Sequence, residues 1–220
     1  MRIVVVAGIL LVLGAVAQAD PVTVTYQIAA SEDGGYGADG WGSLTGQYLM
    51  WTYSSASRMT YLRWEIDIPE GMTITSAYLH IFQGEGLGNI DPREIEMRLI
   101  DDNDCDAFNT FTMFGLPVTD TQEIMLWDPV NWTANTEYVS HDIKALIQEF
   151  IDMDGYASGN YMGIRGSYYS GSGTSYIRDY DYDPDLAPFL EITYDVVPEP
   201  ATMGLLGFGV LGLVLRRKAH

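Results

Sequence analysis

Residues 60–83 read TYLRWEIDIPEGMTITSAYLHIFQ, and this stretch contains two runs of alternating side chains separated by a turn. In the first run Leu62, Trp64 and Ile66 fall on one face of an extended strand, because successive side chains point to opposite faces. The second run, Ile74 to Gln83, again places apolar residues at alternate positions. Pro69-Glu70-Gly71 between the runs has the composition of a tight turn. The stretch therefore predicts two successive β-strands.

Similar strand patterns recur along the chain, separated by clusters of Gly, Asp, Asn and Ser. The other predicted strands are Val22–Ala29, Tyr48–Tyr53, Ile95–Ile100, Glu123–Trp127, Tyr161–Gly166, Thr174–Arg178 and Phe189–Tyr194. Residues 31–46 are rich in glycine and polar side chains and are predicted to form a long loop.

One segment has the periodicity of an α-helix. Ile143, Leu146, Ile147, Phe150 and Ile151 recur at spacings of three and four, which places them on a single apolar stripe. Either Ser140 or Asp142 is expected to cap the start of this helix.

Eight or nine short strands with one amphipathic helix indicate an all-β fold, and we predict a two-sheet jelly-roll sandwich formed by residues 20–196. A Greek-key sandwich of immunoglobulin type is the alternative. The long irregular insertions and the late helix favour the jelly roll.

The first 19 residues have the pattern of a secretory signal peptide. Arg2 precedes an apolar run at positions 3–16, and Ala17-Gln18-Ala19 forms a small-x-small cleavage site. This pattern predicts export and removal of residues 1–19 by signal peptidase.

The C-terminal segment, residues 197–220, combines three signals. Pro198, Glu199 and Pro200 precede an uncharged apolar run at 201–215, and Arg216, Arg217 and Lys218 follow it. The run is shorter than the ~20 residues of an untilted transmembrane helix, and the basic cluster is expected to stay on the cytoplasmic side.

This tail resembles the PEP-CTERM sorting signal of Gram-negative bacteria that make extracellular polysaccharide. The resemblance implies recognition by an exosortase, which is a membrane protease-transpeptidase. The protein would be membrane-anchored before processing and would then reach the outer surface or the extracellular matrix. The alternative is a tail anchor that is never processed.

The chain is strongly acidic. It carries 30 Asp and Glu against 11 Lys and Arg, which gives a formal net charge of −19 at pH 7. A surface of this charge repels nucleic acid and anionic lipid, so neither is an expected partner. The charge favours solubility, a polycationic partner or bound divalent cations. Cys105 is the only cysteine, and we expect it to be a buried small hydrophobe rather than a reactive thiol.

Two ordered sets of residues resemble the DNRLRE-type domain. The matching segments are Tyr61–Ile66, Gly71–Ile81, Trp132–Ala134, Asp142–Phe150, Ala157–Asn160 and Ala187–Tyr194. Domains of this type are jelly-roll sandwiches similar to carbohydrate-binding modules. The resemblance implies a cell-surface protein or one that accompanies polysaccharide-degrading enzymes.

Two acidic clusters are candidate cation sites. Asp101, Asp102, Asp104 and Asp106 lie in an irregular segment, and hard oxygen ligands at this spacing suit a structural calcium ion. The glycine and the distant glutamate of an EF-hand loop are missing. A second set, Asp179, Asp181, Asp183 and Asp185, would share one face of an extended strand. Solvated acidic edges are the alternative for both clusters.

Aromatic residues near glycine-rich segments are candidates for stacking on sugar rings. These residues are Trp41, Trp51, Tyr176, Tyr180 and Tyr182. The alternative is that they are ordinary strand tyrosines and tryptophans on an outer sheet face.

Catalytic signatures are missing from the sequence around His80 and His141, with neither G-x-S-x-G nor H-E-x-x-H. We therefore predict a non-enzymatic, exported cell-envelope protein whose domain binds or organises extracellular polysaccharide. The alternatives are a structural surface or matrix protein without a glycan ligand and a small polysaccharide hydrolase or lyase.

Overall fold

Twelve β-strands and one α-helix are found among the residues that the computed structural model describes, namely 20–38, 41–44, 48–52, 58–84, 93–110, 113–127, 133–171 and 175–196. The strands are β1 (Val22–Gln27), β2 (Gly34–Ala38), β3 (Trp41–Ser43), β4 (Tyr48–Thr52), β5 (Arg58–Ile66), β6 (Thr73–Phe82), β7 (Arg93–Ile100), β8 (Val118–Trp127), β9 (Glu137–Val139), β10 (Asn160–Ser170), β11 (Ser175–Arg178) and β12 (Phe189–Asp195). The helix, α1, is Lys144–Ile151. The predicted signal peptide, the proline-containing motif and the apolar run at 201–215 lie outside the described residues.

The strands form two main antiparallel sheets. One has four strands in the order β1-β12-β6-β9, and the other has six in the order β3-β2-β5-β10-β7-β8. The strands β11 and β4 form a separate two-stranded sheet. All of these strands belong to one compact unit, Pro21–Asp195. The other unit, Met1–Asp20 and Val196–His220, has only Asp20 and Val196 described, and neither lies in a helix or strand.

The alternation predicted for β6 is confirmed. Ala77, Leu79 and Ile81 are buried, whereas Tyr78 and His80 on the opposite face are only half-buried. The buried side of β6 faces the core. Across this core, the indole N–H of Trp64 on β5 donates to the carbonyl of Pro188, just before β12, at 3.3 Å. This bond links the two main sheets across the core.

In contrast to β6, β5 is buried on both faces. Leu62, Trp64 and Ile66 lie on one side, while Tyr61 and Arg63 on the other side are also buried. The reason is that the segment after β7 covers this second face. Cys105, Phe108 and Met113 of this segment form a second apolar cluster with Tyr61 and with Ile100, the last residue of β7.

The long loop predicted for residues 31–46 is wrong, because β2 and β3 lie there. The segment forms strands by pairing its backbone with β5, with Gly35 opposite Tyr61. Space is tight at this position, since a Cβ atom on Gly35 would lie 2.9 Å from Leu44 Cδ2 and 3.0 Å from Met113 Sδ and would require these flexible side chains to shift. The same glycines remove the side-chain alternation by which a strand is recognised in a sequence.

The predicted helix is confirmed, and its apolar stripe, which includes Leu146 and Phe150, is buried. The helix contacts β6 of one main sheet and β7 and β8 of the other. Asp142 Oδ1 accepts from the backbone N–H of Lys144 and from that of Ala77, each at 3.0 Å. The N-cap residue is Ile143, which forms no side-chain capping hydrogen bond, but Asp142 satisfies the amide of Lys144 and ties the helix start to β6. The Ser140 hydroxyl instead accepts from Leu79 N on β6 at 2.9 Å.

Candidate binding pocket

A pocket of about 290 Å³ takes its lining from both main sheets. Its lining residues are Thr25, Tyr26 and Gln27 of β1, Ala29, Asp33, Trp64 and Glu65 of β5, Asp67, and Tyr161 of β10. β1 is an edge strand in which Thr25 and Gln27 are exposed and Tyr26 is half-buried. Among the described strands, β1 pairs only with β12. Thr25 and Gln27 lie beside the aromatic lining, and the Gln27 amide Nε2 donates to the carbonyl of Pro184 at 2.6 Å.

Arg63 contacts two residues that line the pocket, Asp33 and Tyr161. Its Nε donates to Asp33 Oδ1 at 2.7 Å, and both side chains are at least nine-tenths buried. The guanidinium Nη1 also donates to the carbonyl of Cys105 at 3.0 Å, and Cζ lies 4.0 Å from the centroid of the Tyr161 ring. Arg63 therefore compensates the buried Asp33 carboxylate and fixes the Tyr161 ring, as a planar cation over an aromatic face does.

Two carboxylates at the pocket are held by hydroxyl donors. The Tyr161 hydroxyl donates to Glu65 Oε2 at 3.3 Å, and the Ser158 hydroxyl donates to Asp67 Oδ1. Within the described residues, neither Glu65 nor Asp67 forms an ion pair with Lys, Arg or His. The pocket thus has an acidic side that no described cation neutralises.

Both pocket tyrosines are neutral phenols at physiological pH. Burial, followed by the Glu65 charge, raises the pKa of Tyr161. Burial, followed by the neighbouring Tyr194 and Asp67, raises the pKa of Tyr26. Each hydroxyl can therefore donate a hydrogen bond, and each ring offers apolar surface beside it.

The predicted calcium cluster, Asp101, Asp102, Asp104 and Asp106, is joined to Tyr161 by backbone hydrogen bonds. Asp102 Oδ1 accepts from the N–H of Asp104 at 3.1 Å, and Asp104 Oδ1 accepts from the N–H of Tyr161 at 3.0 Å. The N–H of Cys105 donates to the Tyr161 carbonyl at 2.8 Å. Asp104 therefore holds the loop against β10, Asp102 closes a turn within the loop, and all four residues are exposed. Among the described residues no three His, Cys, Asp or Glu side chains are placed to hold a metal ion, and calcium binding by this segment stays a prediction.

Cys105 itself is buried, as the sequence predicts. Burial is the main cause that raises the pKa of its thiol to about 12, and the charge of Asp102 adds to it. A thiol that remains protonated at neutral pH is a poor nucleophile, so Cys105 acts as part of the second apolar cluster.

The second acidic set does not share one face. Tyr180 to Tyr182 form a turn and Pro184–Leu186 a short 3-10 helix, so the segment is not extended. Asp179 is 1% exposed, whereas Asp181 and Asp185 are exposed. Asp179 Oδ1 accepts from Tyr180 N at 2.7 Å, and burial raises the pKa of the Asp179 carboxyl to about 7.

Of the predicted aromatic residues, Tyr176, Tyr180 and Tyr182 do not line the pocket. Trp51 is in β4 and Tyr176 is in β11, and these strands pair, whereas Trp41 is in β3 of the six-stranded sheet. The side chains of both tryptophans lie outside the described residues. Tyr180 is half-buried, and the Tyr182 ring packs against the guanidinium of Arg178, with Cζ 3.6 Å from its centroid.

Sequence reasoning missed the pocket residues Tyr26, Gln27, Asp33 and Tyr161. One signal was present, because Arg63 lies between Leu62 and Trp64 in the apolar part of a predicted strand. A buried charge requires an opposite charge nearby, which would have directed attention to a carboxylate such as Asp33. The distance in sequence between these two residues explains why no local pattern joins them.

The family model for the PEP-CTERM protein-sorting motif matches residues 196–218. This match confirms the sorting signal predicted around Pro198, Glu199 and Pro200 and includes the basic cluster that ends at Lys218. The motif indicates export, association with the membrane before processing, and sorting through an exosortase-type system. No curated protein matches the chain at a significant level. Among the described residues, none of the helices combines the length and apolar character that a bilayer crossing requires.

Proposed function

We propose that this protein is a non-enzymatic, exported protein whose domain, residues 20–196, binds or organises extracellular polysaccharide. Signal peptidase would remove residues 1–19, and the apolar run at 201–215 would hold the chain in the membrane until an exosortase acts near Pro198. The final location would be the outer surface or the extracellular matrix. The sorting motif supports the export route, and the pocket supports the binding role.

The strand order supports a jelly roll for the domain. When β2, β3, β4 and β11 are left out, eight strands remain. They form one sheet in the order β1-β12-β6-β9 and another in the order β5-β10-β7-β8. Every connection between them passes from one sheet to the other except that from β7 to β8, which are antiparallel neighbours. This winding supports an eight-stranded jelly roll built from two Greek keys, in agreement with the resemblance to DNRLRE-type domains.

The single observation that carries the binding role is the chemistry of the pocket. The pocket combines two tyrosines with the amide of Gln27, the hydroxyl of Thr25 and the carboxylate of Glu65. A pyranose ring has apolar C–H faces that pack on aromatic rings and hydroxyls that exchange hydrogen bonds with such groups. The volume of about 290 Å³ is at the small end of ligand pockets, which hold ~300–1,000 Å³. It therefore suits one sugar residue of a longer chain.

Binding to a glycan array tests this role. We expect the purified full chain in detergent to bind at least one extracellular polysaccharide, and Tyr161→Ala to weaken that binding by about tenfold or more, which corresponds to ~1.4 kcal/mol. Tyr169→Ala is the matched control, since Tyr169 lies on the same strand but is 52% exposed and outside the pocket. Equal losses in the two variants would contradict the pocket assignment. Product release from the same glycans would instead indicate a hydrolase or lyase, and no binding at all would favour a structural surface protein.

The sorting role makes a separate prediction. Changing Pro198, Glu199 and Pro200 to alanine should leave an unprocessed form in the inner membrane, because the tripeptide is the part of the motif nearest to the expected cleavage site. Fractionation of the cell envelope followed by immunoblotting measures both the size and the location of the protein. Unchanged processing and unchanged location would show that the sorting system does not recognise the tripeptide.

A further inference from the structure

We infer that the pocket selects a sugar carrying a protonated amine, so that the ligand is a polysaccharide containing free hexosamine rather than a neutral or acidic polymer. This inference rests on the proposed polysaccharide-binding function and names the class of sugar that the same pocket takes.

The pocket carries more negative than positive charge among the described residues. Three carboxylates line it, and the only one with a described cationic partner is Asp33, which Arg63 neutralises at 2.7 Å. Glu65 and Asp67 have only hydroxyl donors among the described residues, from Tyr161 and Ser158. Two negative charges therefore remain for a ligand to neutralise, and an ammonium group within ~4 Å of a carboxylate near a protein surface gains a favourable Coulomb energy.

The aromatic part of the pocket distinguishes an amino sugar from a bare cation. Tyr26 and Tyr161 stay protonated because burial raises the pKa of both phenols. They therefore add no negative charge and supply apolar surface for a sugar ring beside the two carboxylates. A metal ion would gain nothing from these rings, since hard cations take oxygen ligands only.

The charge of the whole chain acts in the same direction. A net charge of −19 attracts a polycation and repels a polymer of uronic acids over distances of about a Debye length. An acidic polysaccharide would have to overcome this repulsion to reach Glu65 and Asp67, whereas a partly deacetylated polyhexosamine would be drawn toward them.

Calorimetric titration of the full chain in neutral detergent tests the inference with four hexasaccharides: glucosamine, N-acetylglucosamine, glucose and galacturonic acid. We expect the glucosamine hexamer to bind at least tenfold more tightly than the N-acetylated one. We also expect most of this difference to disappear at about 0.5 M salt, where charges are screened within a few ångströms.

Charge variants show whether the pocket is responsible. Glu65→Gln with Asp67→Asn should remove the preference for the free amine, and because both residues are exposed the effect on folding should be small. The matched control is Asp120→Asn with Asp154→Asn, which removes two exposed charges outside the pocket and should keep the preference. If the double variant does not fold, Glu65→Gln alone replaces it, and we expect a smaller loss of the preference for the free amine.

Three results would overturn the inference. Equal affinity for the acetylated and free-amine hexamers would show that the pocket binds sugar without recognising the amine. That result would contradict the inference but not the proposed function. Equal loss in the control variant would show that only the overall charge matters. No binding of any hexamer, with no neutral glycan bound on the array, would contradict the proposed function itself.

Discussion

Replacing Arg63 by alanine is expected to lower the free energy of unfolding by about 3–5 kcal/mol, because it leaves a buried carboxylate without its partner. The Asp33 side chain is only 5% exposed and its Oδ1 accepts from Arg63 Nε at 2.7 Å. The substitution also removes the bond to the Cys105 carbonyl and the contact with the Tyr161 ring. Urea denaturation monitored by tryptophan fluorescence measures the change.

Arg98→Ala is the matched control for this prediction. Arg98 pairs with Glu96 at 2.8 Å, but their side chains are 24% and 17% exposed, so water screens the pair more strongly and its loss should cost about 1 kcal/mol or less. Combining Arg63→Met with Asp33→Leu should recover much of the lost stability, because the uncompensated charge is then gone. A loss in Arg63→Ala no larger than that in Arg98→Ala would mean that the buried pair does not stabilise the domain.

Asp179→Asn is expected to stabilise the protein at neutral and alkaline pH. The folded-state pKa of this carboxyl is raised from 3.8 to about 7 by burial, with the charge of Asp181 adding to it. The folded state therefore binds the proton more tightly than the unfolded state does. Wild-type stability from this group is present at acid pH and is lost as the pH rises from about 4 to about 7. The loss is on the order of 4 kcal/mol.

The measurement is the urea midpoint between pH 4 and pH 8 for wild type and variant. Asparagine keeps an oxygen that can accept from Tyr180 N, so the variant should lose only the titration and should exceed the wild type above about pH 7. Asp185→Asn is the control, since Asp185 is exposed and should leave the pH dependence unchanged. The same pH dependence in wild type and Asp179→Asn would show that this carboxyl is ionised without cost in the folded state.

The parts of the fold that the sequence predicts are those with a local pattern. The alternation of β6 and the three-and-four spacing of α1 arise from residues within one element, and both are confirmed. β2 could not be predicted, because glycines such as Gly35 give no alternation of side chains, and the strand forms by pairing with β5, which is distant in sequence. The burial of both faces of β5 likewise depends on residues after β7 that cover it.

The pocket was harder to predict than the fold because its residues come from separate segments. Tyr26, Asp33, Glu65 and Tyr161 become neighbours only when β1, β5 and β10 take their places in two sheets. The aromatic and acidic residues that the sequence predicts as site residues are instead those that lie close together along the chain. In one of these clusters Asp104 accepts from the N–H of Tyr161 and so holds its loop against a strand of the pocket, while Asp102 accepts from the N–H of Asp104 within the loop.

A crystal structure of the protein with a bound glucosamine oligosaccharide would show directly whether the pocket is the binding site. We expect one sugar residue to lie against Tyr26 and Tyr161, with its amine within hydrogen-bonding distance of Glu65 or Asp67. The same crystals soaked with the glucose oligosaccharide provide the comparison. An oligosaccharide bound instead beside Tyr176, Tyr180 and Tyr182, with the pocket empty, would contradict the assignment of this pocket as the polysaccharide site.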